Sequence, residues 1–356
     1  MVEPHTMTVL HEKNAHRMLP TASMVKMMTA LVVLDAVEDG DLRWDTRVWV
    51  SPEVERVRGS SVYLQQGEVF TVRELLDAMV IKSANDAAAA LAEAAAGSQD
   101  AFVERMRTKA RSLGLEHSEL HTPHGLPRKE TGKPEDRMCP YDLARVGAEV
   151  LRHPELMRRA GTALAPPMRG REFHLYNSNH LLRRYDHATG IKTGYHTGSA
   201  FCLTASAHKD GMDLVAVVMG AERKFDSFDG ARALLEEAFE RYRLLAPLAE
   251  GERLRQLAQV RSGAVRWVPV MAADDVRWVA PRNGSVRLET QLVSHGVQAP
   301  VRAGQLVATV LVWENGQLRA KVPAVAMHAV DPPSRWQRWR SRLSSLLTAL
   351  ASGLGG

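Results

Sequence analysis

Cysteine and long apolar runs are both scarce in this sequence. Its 356 residues include only two cysteines, Cys139 and Cys202, which make no disulfide framework and do not settle the redox compartment. No stretch reaches the ~18 consecutive apolar residues of a membrane-spanning helix. The start, MVEPHTMTVLHEKNAH, lacks the apolar segment of a signal peptide. These absences exclude a small disulfide-stapled domain and, within this sequence, a transmembrane helix.

Patterns that predict a metal site are also missing. The histidines of HEKNAH (11–16) stand five residues apart, whereas the zinc motif HExxH places its ligands four apart on one helix face. A second group, His117, His121 and His124, is typical of a surface turn that leads into a long loop. We therefore predict no metal and no cofactor.

What is present is the pattern of a globular chain of about two domains, at ~150 residues each. Helical periodicity predicts helices at 23–38, 72–81, 85–96, 99–114, 141–152 and 228–245. Two apolar strand patterns joined at KDG predict a hairpin, and 121–140 predicts a long functional loop. From about residue 245, apolar and polar residues alternate between turn signals. The predicted domains are 1–244, α/β; 245–330, all-β; and 331–356, one amphipathic helix.

The stretch TASMVKMMTALVVLDAV places Ser23 and Lys26 at the start of an apolar helix. Residues three apart share a helix face. A serine hydroxyl needs an adjacent base to act as a nucleophile, and a lysine can be that base when burial or a nearby cation lowers its pKa. Ser23 could instead be only an N-cap. A second Ser-x-x-Lys, Ser206 to Lys209, is predicted to be a solvated turn.

Two further motifs follow in order along the chain. Ser83-Ala84-Asn85 opens the alanine-rich helix, and Lys192-Thr193-Gly194 precedes the apolar strand AFCLTASA. Each is weak alone, although Lys-Thr-Gly arises by chance only about once in several thousand residues. Ser-x-x-Lys, Ser-x-Asn and Lys-Thr-Gly together are typical of penicillin-interacting serine enzymes.

With these motifs the chain resembles the serine D-alanyl-D-alanine carboxypeptidases, the low-molecular-mass penicillin-binding proteins. The likeness extends to LPTASMVKMMTAL, GSSVYLQQGEVFTVRELLDAMVIKSANDAAAALAE, LGLEHSELHTPHGLP, NSNHLL and GIKTGY. It implies a β-lactamase/transpeptidase-like domain, with a sheet flanked by helices and a helical subdomain, followed by a small all-β domain. Thr21, Ser199-Ala200 and MCPYDLA depart from the family pattern. These departures concern substrate preference rather than the chemistry.

The resemblance also implies a role for each motif residue. Ser23 would attack, Lys26 would be the base, and Ser83 would pass a proton to the leaving group. The expected substrate-binding residues are Asn85 for the substrate amide, Lys192 and Thr193 for the terminal carboxylate, Gly194 for close approach of the strand, and Tyr195, whose backbone N–H would complete an oxyanion hole with that of Ser23.

The implied reaction removes the terminal D-alanine from peptidoglycan stem peptides through an acyl-enzyme, and β-lactams would acylate the same serine. A β-lactamase is one alternative, but class A enzymes deacylate with a glutamate, and 121–140 contains no Glu-x-x-x-Asn segment. The other is a non-catalytic cell-wall-binding protein, in which the motifs would be expected to decay, whereas here all three are intact.

The resemblance implies export, because the substrate lies outside the cytoplasm. We therefore expect a signal peptide upstream of a truncated or misassigned start. Near the C-terminus, Trp336, Trp339 and several leucines gather on one helix face among arginines. This pattern predicts peripheral attachment, through residues 334–350, to the outer face of the cytoplasmic membrane. The net charge of +5 is partly concentrated in SRWQRWRSR, and we predict no nucleic-acid partner.

Overall fold

The computed structural model describes residues 1–115, 117–337 and 339. The chain divides into two compact units, Met1–Arg243 and Leu244–Gly356. None of the helices in the described part of the chain has both the length and the apolar character needed to cross a membrane.

Helices make up much of the first unit. They are α1 (Lys26–Glu38), α2 (Pro52–Glu55), α3 (Val72–Asp77), α4 (Asn85–Ala96), α5 (Gln99–Ser112), α6 (Arg128–Thr131), α7 (Pro140–Leu151), α8 (Pro154–Ala160) and α9 (Lys224–Arg241). Two differ from the prediction. The helix expected over 72–81 is α3 followed by a π-helical turn, Ala78–Lys82. The helix expected to reach 245 ends at Arg241, where a strand begins.

The strands of this unit are β1 (Val2–Glu3), β2 (Thr8–Val9), β3 (Leu19–Pro20), β4 (Arg47–Trp49), β5 (Val69–Thr71), β6 (Ser118–Glu119), β7 (Arg137–Met138), β8 (Leu164–Ala165), β9 (Leu175–Tyr176), β10 (Ala188–His196), β11 (Ala200–Lys209) and β12 (Met212–Ala221). The main sheet is antiparallel, in the order β10-β11-β12-β1-β2. The hairpin predicted at KDG is confirmed as β11 and β12. The predicted loop 121–140 contains α6 and β7.

Lys192-Thr193-Gly194 precedes the apolar strand β11, as expected from the sequence, and itself lies within β10. The expectation for Ser206 is wrong. Ser206 is fully buried within β11, with its Oγ 2.7 Å from Thr189 Oγ1, rather than in a solvated turn. Strand β11 is longer than its apolar pattern suggests because it is paired on both sides, with β10 and β12.

Helix α1 is the centre of the first core. All but three of its residues are buried, and its apolar residues face every direction, which is typical of a helix enclosed by other elements. It contacts α4, α5 and α7. Lys26 and Thr29 are its only buried polar side chains. Lys26 is therefore an ionisable residue within a helix that is otherwise almost entirely apolar core, as the sequence suggested.

The second unit is all-β. Its strands are β13 (Tyr242–Leu248), β14 (Arg253–Arg261), β15 (Trp267–Ala272), β16 (Val276–Pro281), β17 (Leu288–Ser294), β18 (Val297–Gln298), β19 (Leu306–Glu314) and β20 (Gln317–Ala326). A six-stranded sheet has the order β17-β19-β20-β15-β14-β18, and β13 pairs with β16. Valines and alanines form its core. An α/β unit followed by an all-β unit confirms the predicted fold class. The helix predicted over 334–350 lies largely outside the described residues.

Candidate active site

Ser23 lies on a tight 3₁₀ turn, Ala22–Val25, that leads directly into α1. The N-cap positions of the turn and of α1 are Thr21 and Val25, and neither makes a side-chain cap hydrogen bond. The interpretation of Ser23 as only an N-cap is therefore wrong. Ala22 has a positive φ of 46°, a conformation that is strained for a residue other than glycine and that clusters at functional sites.

The ammonium nitrogen of Lys26 lies within hydrogen-bonding distance of three oxygens. Nζ is 2.8 Å from Ser23 Oγ, 2.6 Å from Asn85 Oδ1 and 2.7 Å from the His124 carbonyl oxygen. The amide and carbonyl oxygens can only accept hydrogen bonds. A neutral lysine would donate its two protons to them and direct its lone pair at the Ser23 hydroxyl. The geometry therefore suits a base that takes the proton of Ser23.

The surroundings of Lys26 favour this neutral form. Burial lowers the pKa of Lys26 well below its usual range, and the positive charge of Lys192 lowers it further. The carboxylates of Asp136 and Asp86 act in the opposite direction. Both lowering causes are those expected from the sequence.

Ser83 and Asn85 sit where the π-helical turn meets α4. Ser83 ends the turn in the left-handed conformation, with φ of 67°, and faces the cavity beside Ser23. Asn85 is the first residue of α4. Its Oδ1 accepts from Lys26, and its Nδ2 donates to the Arg58 carbonyl at 2.7 Å. Asn85 is thus fixed in orientation by the protein, with one amide N–H remaining to face the cavity.

Strand β10 forms another wall of the site, and successive side chains along it point to opposite faces of the sheet. Lys192 is buried, and Gly194 faces the nucleophile turn: a Cβ on Gly194 would lie 2.7 Å from the Thr21 carbonyl oxygen. The close approach made possible by this glycine is therefore between the strand and the turn that carries Ser23. Thr193 and Tyr195 line the cavity. Burial lowers the pKa of Lys192 to about 7.

The segment around His124 completes the site, and the surface turn predicted over 117–124 is wrong at His124, although His117 is exposed. Thr122 and His124 are buried, and the His124 carbonyl accepts from Lys26. The Asp136 carboxylate holds this segment by accepting from the backbone N–H groups of His121 and Thr122 and from the Thr122 hydroxyl. The Thr122 hydroxyl in turn accepts from the Gly125 N–H. No sequence signal distinguishes this carbonyl, because any residue type would supply one.

Ser23, Ser83, Asn85, Thr193, Gly194 and Tyr195 open onto one cavity of about 860 Å³. Sequence reasoning missed several polar residues in its wall. Ser178 Oγ lies 2.6 Å from Thr193 Oγ1. Lys224 and Arg183 also line the cavity, and neither is paired with a carboxylate among the described residues. Charges of this kind suit an anionic ligand. In residues 1–115 and 117–337 no cluster of His, Cys, Asp or Glu is arranged to hold a metal ion.

Known proteins share both units. Residues 1–223 match the D-alanyl-D-alanine carboxypeptidase family, and residues 242–332 match the C-terminal domain of penicillin-binding protein 5. The D-alanyl-D-alanine carboxypeptidase DacF of Bacillus subtilis is 30% identical, over 92% of this chain and 83% of its own length. DacC of Escherichia coli is 28% identical, over 91% and 81%.

Solved structures show the same architecture. Penicillin-binding protein 5 from Haemophilus influenzae is 26% identical and superposes with a TM-score of 0.74, covering 91% of this chain and 94% of that one. Ampicillin-bound penicillin-binding protein D2 from Listeria monocytogenes is 28% identical, with a TM-score of 0.60, covering 67% and 94%. The chain therefore belongs to the serine D-alanyl-D-alanine carboxypeptidases, the low-molecular-mass penicillin-binding proteins.

Proposed function

We propose that Ser23 attacks the peptide bond between the last two D-alanines of a peptidoglycan stem peptide, with Lys26 as its base. The observation that carries this proposal is the placement of Lys26 Nζ, 2.8 Å from Ser23 Oγ and held by two oxygens that can only accept. Lys26 takes the hydroxyl proton as Oγ bonds to the carbonyl carbon. The C–N bond then breaks, and the leaving D-alanine amine receives its proton through Ser83. Water, deprotonated by the same base, hydrolyses the acyl-enzyme.

The oxygen that becomes negative in this step requires hydrogen-bond donors. The backbone N–H groups of Ser23 and Tyr195 are assigned to this role, with Tyr195 on the strand packed against the Ser23 turn. Such donors often provide the largest single contribution to acyl transfer. Asn85 would use its remaining amide N–H to bind the substrate backbone in register.

The free carboxylate of the substrate is assigned to Thr193 and Lys192. Thr193 faces the cavity, and Lys192 lies buried behind it with its Nζ 3.2 Å from the Thr193 carbonyl oxygen. Ser178 orients the Thr193 hydroxyl. Lys224 and Arg183 add positive charge to the lining of the same cavity. A substrate that ends in a free carboxylate is the one this arrangement favours.

Labelling with a fluorescent penicillin tests the nucleophile, and release of D-alanine from a pentapeptide tests the reaction. We expect Ser23→Ala to abolish both, and Ser206→Ala, at the other Ser-x-x-Lys, to retain label. Lys26→Arg should be nearly inactive, because arginine does not lose its proton in proteins. Label on Ser206, or acylation of Lys26→Arg at the wild-type rate, would refute the assignment. Labelling without D-alanine release would point to a penicillin-binding protein with a different substrate.

Attachment to the outer face of the cytoplasmic membrane is a second part of the proposal. It is supported by the family and by Trp336 and Trp339, which expose 63% and 59% of their surface. Each nearby basic residue adds about 1 kcal/mol of attraction to an anionic surface. Deleting 333–356 should release the protein from anionic liposomes without changing penicillin acylation. Continued sedimentation of the deleted form with liposomes would place the anchor elsewhere.

A further inference from the structure

The proposed function fixes the direction in which a peptide crosses the cavity. Its carboxylate lies at Thr193, and its scissile carbonyl lies at the N–H groups of Ser23 and Tyr195. Strand residues advance ~3.3 Å each, so the part of the substrate before the scissile bond continues past Tyr195 toward His196 and Thr197, which also line the cavity. The third residue of the stem peptide, which precedes the two D-alanines, therefore projects its side chain at this end.

An aromatic pair forms one wall at this end. Tyr195 and Phe201 are cross-strand partners, and their rings stack with centroids 4.3 Å apart and planes 23° apart. Both line the cavity, and Tyr195 leaves 56% of its surface exposed. Leu126 and Pro127 also line the cavity. Such surfaces bury the methylene groups of a long side chain.

Two opposite charges line the same cavity. Lys129 and Glu130, adjacent on α6, line the cavity. Neither side chain makes an ion pair or a hydrogen bond with another described residue. Burial lowers the pKa of the His196 ring; the charges of Glu135, Glu130 and Asp136 act to raise it, and that of Lys129 lowers it further. Glu130 and Lys129 therefore both lie near His196. These charges therefore stand at the end of the cavity where the third residue of the substrate lies.

We propose that Tyr195, Phe201, Lys129 and Glu130 form a subsite for a third residue whose aliphatic side chain ends in both an amino group and a carboxylate. The methylenes lie on the aromatic pair, Lys129 binds the carboxylate, and Glu130 binds the ammonium. This charge pattern matches diaminopimelate. A substrate with lysine as its third residue pairs only with Glu130, and its ammonium group lies beside that of Lys129. The inference rests on the proposed function, because that function sets the direction of the peptide.

The test uses three pentapeptides that differ only at position three, with meso-diaminopimelate, L-lysine or L-norleucine. Norleucine has a long side chain without charge. We expect the wild type to prefer diaminopimelate to lysine about two- to fivefold in kcat/KM, the range of one exposed ion pair, because only the pair with Lys129 distinguishes the two substrates. Lys129→Gln should remove most of this preference. Glu130→Gln should lower kcat/KM for diaminopimelate and lysine relative to norleucine.

Lys133→Gln is the matched control. It removes the same charge from the same segment but lies outside the cavity wall, where Lys133 pairs with Asp100, so it should keep the wild-type ratios. Wild-type ratios in Lys129→Gln or Glu130→Gln would overturn the subsite. An equal loss on all three substrates would also overturn it and would assign the charges to another part of the peptide. Turnover of the norleucine substrate and penicillin labelling report on the proposed function itself, so its failure is recognised separately.

Discussion

Gly125 approaches Ala22 so closely that a Cβ on Gly125 would lie 2.0 Å from the Ala22 carbonyl oxygen. Gly125 also has a positive φ of 79°, which disfavours any side chain. The segment that supplies the His124 carbonyl to Lys26 can therefore reach the Ser23 turn only with glycine at this position. A backbone contact thus sets the position of the base relative to the nucleophile.

Gly125→Ala should slow penicillin acylation by about a hundredfold or more, because a displacement of about 1 Å in a reacting group can cost that much. Gly132→Ala separates the effect of the positive φ from the effect of the close contact with Ala22. Gly132 has a similar φ of 71°, but a Cβ added to it would meet nothing within 4 Å. That variant should lose roughly 1 kcal/mol of unfolding free energy and acylate normally. Acylation rates and urea unfolding of both variants provide the measurement, and a Gly125→Ala protein as active as Gly132→Ala would contradict the argument.

The two lysines predict a bell-shaped pH dependence of acylation. Lys26 must be neutral to accept the proton, so kcat/KM rises as the pH increases through its lowered pKa. Lys192 must be charged to attract the carboxylate, so kcat/KM for the peptide falls as the pH rises through about 7. Asp136→Asn should move the acid limb to lower pH, because the Asp136 carboxylate raises the pKa of Lys26. Pre-steady-state acylation across pH measures this limb, and a shift to higher pH would contradict the assignment.

The sequence identifies the nucleophile and base of this site better than it identifies the residues that hold them in position. Ser23 and Lys26 are three residues apart, and that local spacing carries over directly into their contact. Asp136 and Thr122 are 14 residues apart, and only tertiary structure joins them. His124 contributes its carbonyl oxygen, which no residue type reveals. A local pattern could identify the nucleophile and base, but it could not identify the segment that holds them.

The same limit explains the errors in the sheet. The sequence pattern predicts a solvated Ser206 because Lys209 and a glycine turn follow it, yet Ser206 is paired on both sides, with Gly190 of β10 and Val215 of β12. The residues around Tyr242 continue a helical pattern, yet Tyr242–Leu248 is a strand paired with β16. In both cases, pairing with another strand determines the structure more than the local sequence pattern does.

Ser178→Ala should raise KM for the pentapeptide about fivefold with little change in kcat. Its hydroxyl is 2.6 Å from that of Thr193, and one hydrogen bond contributes about 1 kcal/mol. The substrate carboxylate is bound in the ground state as well as the transition state, so losing the hydrogen bond from Ser178 raises KM rather than lowering kcat. In a Thr193→Val background, Ser178→Ala should add no further loss of kcat/KM. Additive losses in the double variant would show that Ser178 acts elsewhere.

His124 makes the folded protein sensitive to acid. Burial lowers the pKa of its ring to about 3, with smaller contributions from the charges of Lys26 and Lys133. Above pH 6.5 the ring is neutral in both the folded and the unfolded chain. Below pH 6.5 the unfolded chain binds a proton that the folded chain does not accept until about pH 3. Stability from this group is therefore lost as the pH falls, by an amount on the order of 4 kcal/mol at the acid end.

His124→Asn isolates that contribution. An asparagine oxygen can replace ring Nδ1 as the acceptor for the Leu126 N–H, and it does not titrate. The smaller side chain should lower the unfolding free energy at pH 7, because it leaves space in a buried site. Between pH 6.5 and 4, however, its unfolding free energy should fall less steeply than that of the wild type, since the proton uptake of the unfolded chain is gone. Urea unfolding at half-unit pH intervals gives both slopes. Parallel curves would mean that His124 titrates alike in the folded and unfolded chain, and would remove it as the origin of the acid sensitivity.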